Sequence, residues 1–510
     1  MDLRALIGQK LVIGFDGTEI PDELRELVRH YRIGNVILFR RNTDTAAQTR
    51  RLCAEIRELI LKETGYPPFI MIDEEGGMVT RMPRDIAPMP GNMAVAATGD
   101  PENAYTAARI TARRLRRLGV NFNLAPVLDI NSNPANPVIG VRSFGDTAER
   151  VITYASQAIR GYGEERFLCC GKHFPGHGDT ATDSHLGLPR VGKTAEELRK
   201  TELKPFAAAV REGIPAIMTA HILYPEIEPE ALPATMSRRI MTGLLREELG
   251  FEGLILSDCL TMNAIREHYG VGRGAAAAAA AGVDLRFVSH DPQLQAEAAE
   301  TMLRAAESGA IGAAELQASA ERILRYKAEY ADIPAENSAP DCAADRSAAE
   351  TIARRAATLV SGTPFRADSD TFFCGCRDYR LTQAMNDPGN APSSPGYLAG
   401  IFGGGFRTVG DDPDPEEIRE TVRAAQPYGK TVMLMLNAYL RPGQTALLRA
   451  LAETGKPVIA AAMRAPYDLA DLPENVIKLA LYDLSDASLC ALADILRGAP
   501  CSGSLPVTVR

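Results

Sequence analysis

The chain has 510 residues, 45% of them apolar and 24% charged, with a formal net charge of −9. That length exceeds what one core supports, so two or more domains are expected, and the acidic balance gives no electrostatic basis for binding nucleic acid or an anionic membrane. No run approaches the roughly 20 apolar residues of a membrane span, the first residues lack a signal-type apolar segment, and nine scattered cysteines without a C-x-x-C pair fit reduced thiols and a cytoplasmic protein.

Eight short apolar runs recur at 10–15, 35–39, 69–72, 120–125, 167–170, 216–220, 254–257 and 283–288. Continuous apolar runs suit strands buried on both faces of a parallel sheet. Helical patterning fills the gaps. Asp100-Pro101 reads as an N-cap followed by Pro, and Gly119 closes that helix. A second helix is expected over 194–211, ending at Gly213, and a third over 236–249, ending at Gly250. An Ala-rich helix lies between Gly274 and Gly282, and a helix pair over 292–308 and 313–329 completes the unit. Eight βα repeats in this span predict a (β/α)8 barrel over 1–331.

Residues 332–350 open as a Pro-rich, polar stretch without period and read as a linker. Over 351–510 strands and helices alternate again, with strands expected at 357–361, 371–374, 431–436, 458–462 and 477–481 and a helix over 444–453. This predicts a smaller open α/β sandwich domain. Gly403-Gly404-Gly405 lacks the Lys of a P-loop and reads as a turn. All seven histidines precede the linker, so the chemistry is expected in the barrel.

In such a barrel the C-terminal strand ends share one face. Reading each strand outward, the third ends in Asp73, Glu74 and Glu75, with Arg81 close behind. The fourth is followed by a long loop reaching Arg142. The fifth ends Lys172-His173 and opens a Gly- and Pro-containing loop running to His185, the sixth ends at His221, and the seventh ends Ser257-Asp258-Cys259. The opposite strand ends show no such pattern. Asp73, Arg81, Arg142, Lys172 and His173 together offer charged hydrogen-bonding groups suited to a sugar. Asp258, at a strand end among small neighbours, suits an ionised carboxylate that attacks an electrophilic carbon, although helix capping is a structural alternative. His185 sits on the loop, and Asp183 can fix its tautomer as a carboxylate does in a triad. His177 and Asp179 are expected to shape the loop. A metal site built from His173, His177, Asp183 and His185 is the rival arrangement, but Pro175 and Gly176 rule out a helical ligand pair. No metal and no cofactor are expected.

The segment Lys172-His173-Phe174-Pro175-Gly176-His177-Gly178-Asp179-Thr180, followed by Asp183-Ser184-His185, resembles glycoside hydrolase family 3, and more narrowly its NagZ-like β-N-acetylhexosaminidase branch. Asp73-Glu74-Glu75-Gly76-Gly77, Arg142-Ser143-Phe144-Gly145 and Leu256-Ser257-Asp258 are similar to three further segments of that family, in the same order. The resemblance implies a retaining glycosidase acting on terminal β-linked N-acetylglucosamine, as in peptidoglycan fragments. It implies that Asp258 is the nucleophile and that His185, paired with Asp183, is the acid/base. It places sugar-binding roles on Asp73, Arg81, Arg142, Lys172 and His173. Two positions depart from the family pattern: Met78, where Arg is usual, and Cys259. The alternatives are phosphorolysis, another exo-β-glycosidase such as a β-glucosidase, and a non-enzymatic wall sensor that binds sugar. The expected partner is a small carbohydrate, with no nucleic acid and no membrane, and the protein is expected to be a monomer or weak dimer.

Overall fold

The computed structural model describes residues 2–180, 187–331, 339, 341–379, 385 and 393–509. Eight parallel strands close into a barrel: β1 (Leu11–Ile13), β2 (Asn35–Leu38), β3 (Phe69–Ile72), β4 (Phe122–Asn123), β5 (Leu168–Phe174), β6 (Ala216–Thr219), β7 (Leu254–Cys259) and β8 (Leu285–Val288), with β8 pairing back to β1. The side-chain period of two explains why the runs are apolar throughout. Val12, Phe69, Met71, Phe122, Leu254 and Phe287 fill the barrel interior, while Leu11, Ile13, Ile70, Ile72 and Ile255 meet the surrounding helices. The strands fall within or beside the eight predicted runs, but β5 runs on through Lys172 and His173, and β7 through Asp258. Both chemistry-bearing segments therefore lie within strands at register shifts, His173 between the paired Lys172 and Phe174, and Ser257-Asp258 between the paired Leu256 and Cys259.

The helix at Glu102–Leu118 ends at Gly119, whose φ of 88° is the left-handed cap expected of glycine. The predicted helix 194–211 is two helices, Ala195–Lys200 and Leu203–Arg211. Pro205 has no N–H to give the Thr201 carbonyl, so the chain breaks there and restarts. The predicted helix 236–249 is a wider π-type helix over Arg239–Glu248.

A helix at Ala343–Ala356 begins inside the stretch read as a linker. Its buried Ala349, Ile352, Ala353 and Ala356 form a helical stripe, which the neighbouring Pro-rich composition masks. Beyond it a six-stranded sheet has the order β11-β10-β12-β13-β14-β9. Its strands are β9 (Thr358–Ser361), β10 (Thr371–Cys376), β11 (Gly405–Val409), β12 (Lys430–Met435), β13 (Val458–Ala462) and β14 (Val476–Ala480), and β9 alone runs antiparallel. Strand β11 escapes prediction because Gly and Arg interrupt its apolar pattern. Gly404 ends the turn before it, and a Cβ there would meet the Thr371 carbonyl oxygen at 2.1 Å.

The sheet packs onto loops at the barrel mouth. Asn131 Nδ2 donates to Tyr467 Oη at 2.8 Å and Ser504 N to the Ala97 carbonyl at 2.8 Å. Met93, Ala94, Ala97 and Val141 of the barrel unit belong to the core of the second, and Met78 packs against it. The Met at position 78 thus has a physical reason: its side chain contributes apolar contact between the two units.

The expectation that the opposite strand ends lack charge is overturned. Asp284 there pairs with Arg246 at 2.6 Å and Arg322 at 2.7 Å. Lys10 and Arg286 lie buried beside them, within runs whose overall apolar character hid them. Among the described residues Lys10 Nζ has no hydrogen-bond partner. Burial, with the nearby Arg286 charge, pushes its ammonium down to about 6. The unfolded chain then holds a proton that the folded chain sheds, so stability rises with pH between about 6 and the ordinary lysine range. Lys10→Met is expected to raise unfolding free energy at pH 7 by about 1–3 kcal/mol and to flatten that rise. Melting curves from pH 6 to 9 check it, and a lower melting point in the variant would contradict it.

Candidate active site

Strand ends and loops from seven barrel strands, β2 to β8, enclose one cavity of about 820 Å3. Asp73, Arg81, Arg142, Lys172, His173 and Asp258, the described site residues expected from the sequence, all line it. Asp183 and His185 lie outside the described residues. Phe39, Arg41, Cys259, Arg266 and His290 line its other side, and Met385 reaches it from the connection after β10.

One wall is a chain of ion pairs. Lys172 Nζ lies 2.7 Å from Asp73 Oδ1 and 2.7 Å from Glu75 Oε1. Arg142 grips Glu75 with both nitrogens, Nε at 2.9 Å and Nη2 at 2.8 Å, the bidentate geometry that fixes both planes. Burial alone would raise the Glu75 carboxyl, but the Arg142 and Lys172 charges outweigh it and hold it below the usual carboxylate range. Glu75 keeps both cations pointed at the cavity. Asp73, still a fifth exposed, is the member of this wall best placed to accept a hydroxyl.

Glu74 faces the other way. Its Oε2 accepts from Thr80 Oγ1 at 2.8 Å and from the Arg81 backbone N–H at 2.6 Å. This turns residues 80–82 so that Arg81 enters the cavity. Burial pushes its carboxyl up to about 7.

A second buried acid organises the histidine loop. Asp129 Oδ2 accepts from His173 N at 3.1 Å and lies 2.7 Å from His173 Nδ1, while its Oδ1 accepts from His177 N at 2.6 Å. The Asp129 carboxyl would be raised by burial, but the His173 and His177 partners hold it low. With Asp129 occupying Nδ1, His173 Nε2 faces the cavity, 3.5 Å from Arg142 Nη2. His177 Nδ1 sits 2.8 Å from Thr180 Oγ1. Burial and the adjacent His173 push the His177 ring down to about 4, so it is neutral at pH 7. Gly178 lies against the same segment, where a Cβ would meet the Ile130 carbonyl oxygen at 1.6 Å. Asp179 pairs with Lys193 at 2.8 Å. His177 and Asp179 are thus each held by a neighbouring side chain, and His177 also lines the cavity.

Asp258 stands near the end of β7, half-buried, on the cavity wall beside Cys259. Its Oδ1 accepts from the Cys259 backbone N–H at 2.6 Å. Glu75 and Asp129 were missed as site residues from sequence. Glu75 was legible as a strand-end acid, but its role depends on Lys172 and Arg142 meeting across two strands. Asp129 follows Val127-Leu128, an apolar continuation of the fourth run that marks a buried acid.

The profile for the glycosyl hydrolase family 3 N-terminal domain matches residues 3–326. The chain belongs to glycosyl hydrolase family 3. It is 38% identical over 287 residues to beta-hexosaminidase A of Pseudoalteromonas piscicida, a match spanning 53% of this chain and 48% of that relative. The chain thus matches about half the length of that protein. It is 38% identical over 289 residues to a beta-hexosaminidase of Alkalilimnicola ehrlichii, covering 56% of this chain and 81% of the relative. Among solved structures, a family 3 beta-N-acetylglucosaminidase from Paenibacillus sp. superposes with a TM-score of 0.93 at 38% identity, covering 100% of this chain and 99% of that one. This family 3 barrel and its following sheet therefore share a fold over their whole length with that structure. Among the described residues no helix is long and apolar enough to cross a membrane.

Proposed function

We propose that this family 3 member is a retaining exo-β-N-acetylglucosaminidase that releases terminal β-linked N-acetylglucosamine, with peptidoglycan (muropeptide) fragments as its natural source. The observation that carries the reading is the placement of Asp258 on the same cavity as the Asp73–Lys172–Glu75–Arg142 wall. The wall binds the hydroxyls of one sugar ring through charged hydrogen bonds. Asp258 attacks the anomeric carbon from a rigid strand end, forming a covalent glycosyl-enzyme while the leaving oxygen takes a proton. His185, with its tautomer fixed by Asp183, gives that proton and then removes one from water. An imidazole in this role does not repel a carboxylate on the leaving sugar. The names of the relatives and of the Paenibacillus structure support the N-acetylhexosamine preference.

Initial rates on aryl β-glycosides that differ only at the 2-position test the reading. The 2-acetamido substrate is expected to be cleaved at least about 100-fold faster, by kcat/KM, than the 2-hydroxy one. Water is expected to remain the acceptor when phosphate is added. Equal rates on both substrates would sink the assignment, and a sugar phosphate product would replace hydrolysis by phosphorolysis.

A further inference from the structure

The roles so far proposed leave His221 and Cys259 unused, although His221 is fully buried at the end of β6 and Cys259 follows Asp258. We propose that His221 and Cys259 are positioning residues that clamp the Asp258 segment from both sides and so fix the direction of its carboxylate. The proposal rests on the reading of Asp258 as the attacking group.

The end of β7 does not continue the regular ladder. Leu256 pairs with Leu285 and Cys259 with Phe287, so three steps along β7 match two along β8. Such a bulge re-aims the side chains within it, here Ser257 and Asp258. A bulge also leaves ladder groups to be satisfied by other means. The Phe287 N–H is accepted by Ser257 Oγ at 3.0 Å, and the Leu260 N–H reaches the Phe287 carbonyl at 2.8 Å. The Ser289 N–H points at Cys259 Sγ at 3.4 Å, and that sulfur lies 3.0 Å from Thr261 Oγ1. These contacts hold the bulge from the β8 side.

His221 holds it from the β6 side. Its Nε2 lies 3.1 Å from the Cys259 carbonyl oxygen. A carbonyl only accepts, so Nε2 carries the proton and donates. Its Nδ1 is fixed by Thr235 Oγ1 at 2.9 Å, and Thr235 Oγ1 is in turn 2.6 Å from Thr219 Oγ1 on β6. The ring is therefore tied at both nitrogens, to the β6 side and to Cys259. Cys259 is gripped at its carbonyl and its sulfur, and its own N–H donates to Asp258 Oδ1 at 2.6 Å. Displacing this residue moves the donor that orients the carboxylate. Displacements near 1 Å at a reacting group can cost about 100-fold in rate.

The test compares His221→Phe, His221→Gln, Cys259→Ala and Asp258→Ala on one aryl N-acetylglucosaminide, with inhibition by free N-acetylglucosamine measured alongside. His221→Phe is expected to lower kcat about 30- to 100-fold while the inhibition constant for the free sugar stays within about threefold. His221→Gln, whose amide nitrogen can occupy the Nε2 position, is expected to return kcat to within about fivefold of the parent. Cys259→Ala is expected to lower kcat about tenfold, again with sugar binding kept. An unchanged kcat in His221→Phe overturns the proposal, as does a loss that tracks sugar binding and is not rescued by Gln. If His221→Phe does not fold, Cys259→Ala decides, and wild-type kcat there overturns it. Activity retained in Asp258→Ala removes the nucleophile reading itself. An inactive Asp258→Ala beside fully active His221 and Cys259 variants removes only the clamp.

Discussion

Asp258→Asn lowers kcat on an aryl N-acetylglucosaminide by about 10^4- to 10^6-fold, the scale seen when a covalent catalyst loses its nucleophile. The amide keeps the volume and can still accept from the Cys259 N–H, so the β7 bulge keeps its shape. What it lacks is the charge and nucleophilicity needed to bond the anomeric carbon. The proposed sugar-binding wall lies on other strands, through Asp73, Lys172 and Arg142, so KM is expected to change by less than about tenfold. Asp258 is only half-buried, and the melting temperature is expected to move by no more than a few degrees. The enzyme's steady-state rates and melting curve, measured on one preparation, separate these outcomes. A variant that keeps a tenth of the parent's kcat would show that another group attacks the sugar.

Asp129→Asn is expected to damage both stability and rate. The native carboxylate accepts from two backbone N–H groups and holds one ring nitrogen. An amide turns one acceptor into a donor that faces another donor in a buried place. Breaking a buried charged partner costs about 3–5 kcal/mol, and some relaxation lowers the expected loss to about 2–4 kcal/mol. The sign with pH follows from the depressed carboxyl: its contribution is present above the ordinary Asp range and is lost as acid protonates the folded state. The parent should therefore lose stability below about pH 4 more steeply than the variant. Because Asp129 ties down His173 and the start of the histidine loop, kcat is expected to fall about 100-fold as well. A variant with parental melting point and rate would show that His173 and His177 hold their places without it.

The barrel was readable because its strands are apolar on both faces, a pattern with few other solutions. The cavity residues were readable because charged groups from several strand ends and loops gather at one mouth of the barrel. What escaped did so for identifiable reasons. Glu75 and Asp129 act through partners 67 and 44 residues away in sequence, and no local pattern announces such pairings. Lys10, Asp284 and Arg286 hid inside runs that are otherwise apolar. The break at Thr201 needed the absent N–H of Pro205 to be counted against a specific carbonyl. The helix at Ala343–Ala356 was submerged by the proline-rich residues before it. Asp183 and His185, read as the acid/base pair, lie outside the described residues, and their assignment rests on their spacing and on the family resemblance.

Met385 comes to the sugar cavity from the second sheet's side of the molecule, and it is almost fully buried there. The cavity is thus a joint possession of two folding units. Drift in how the sheet seats on the barrel alters the chamber's outline even when every barrel residue is kept. A change in that seating accordingly reaches the cavity through a unit that, among the described residues, adds no charged side chain to its lining.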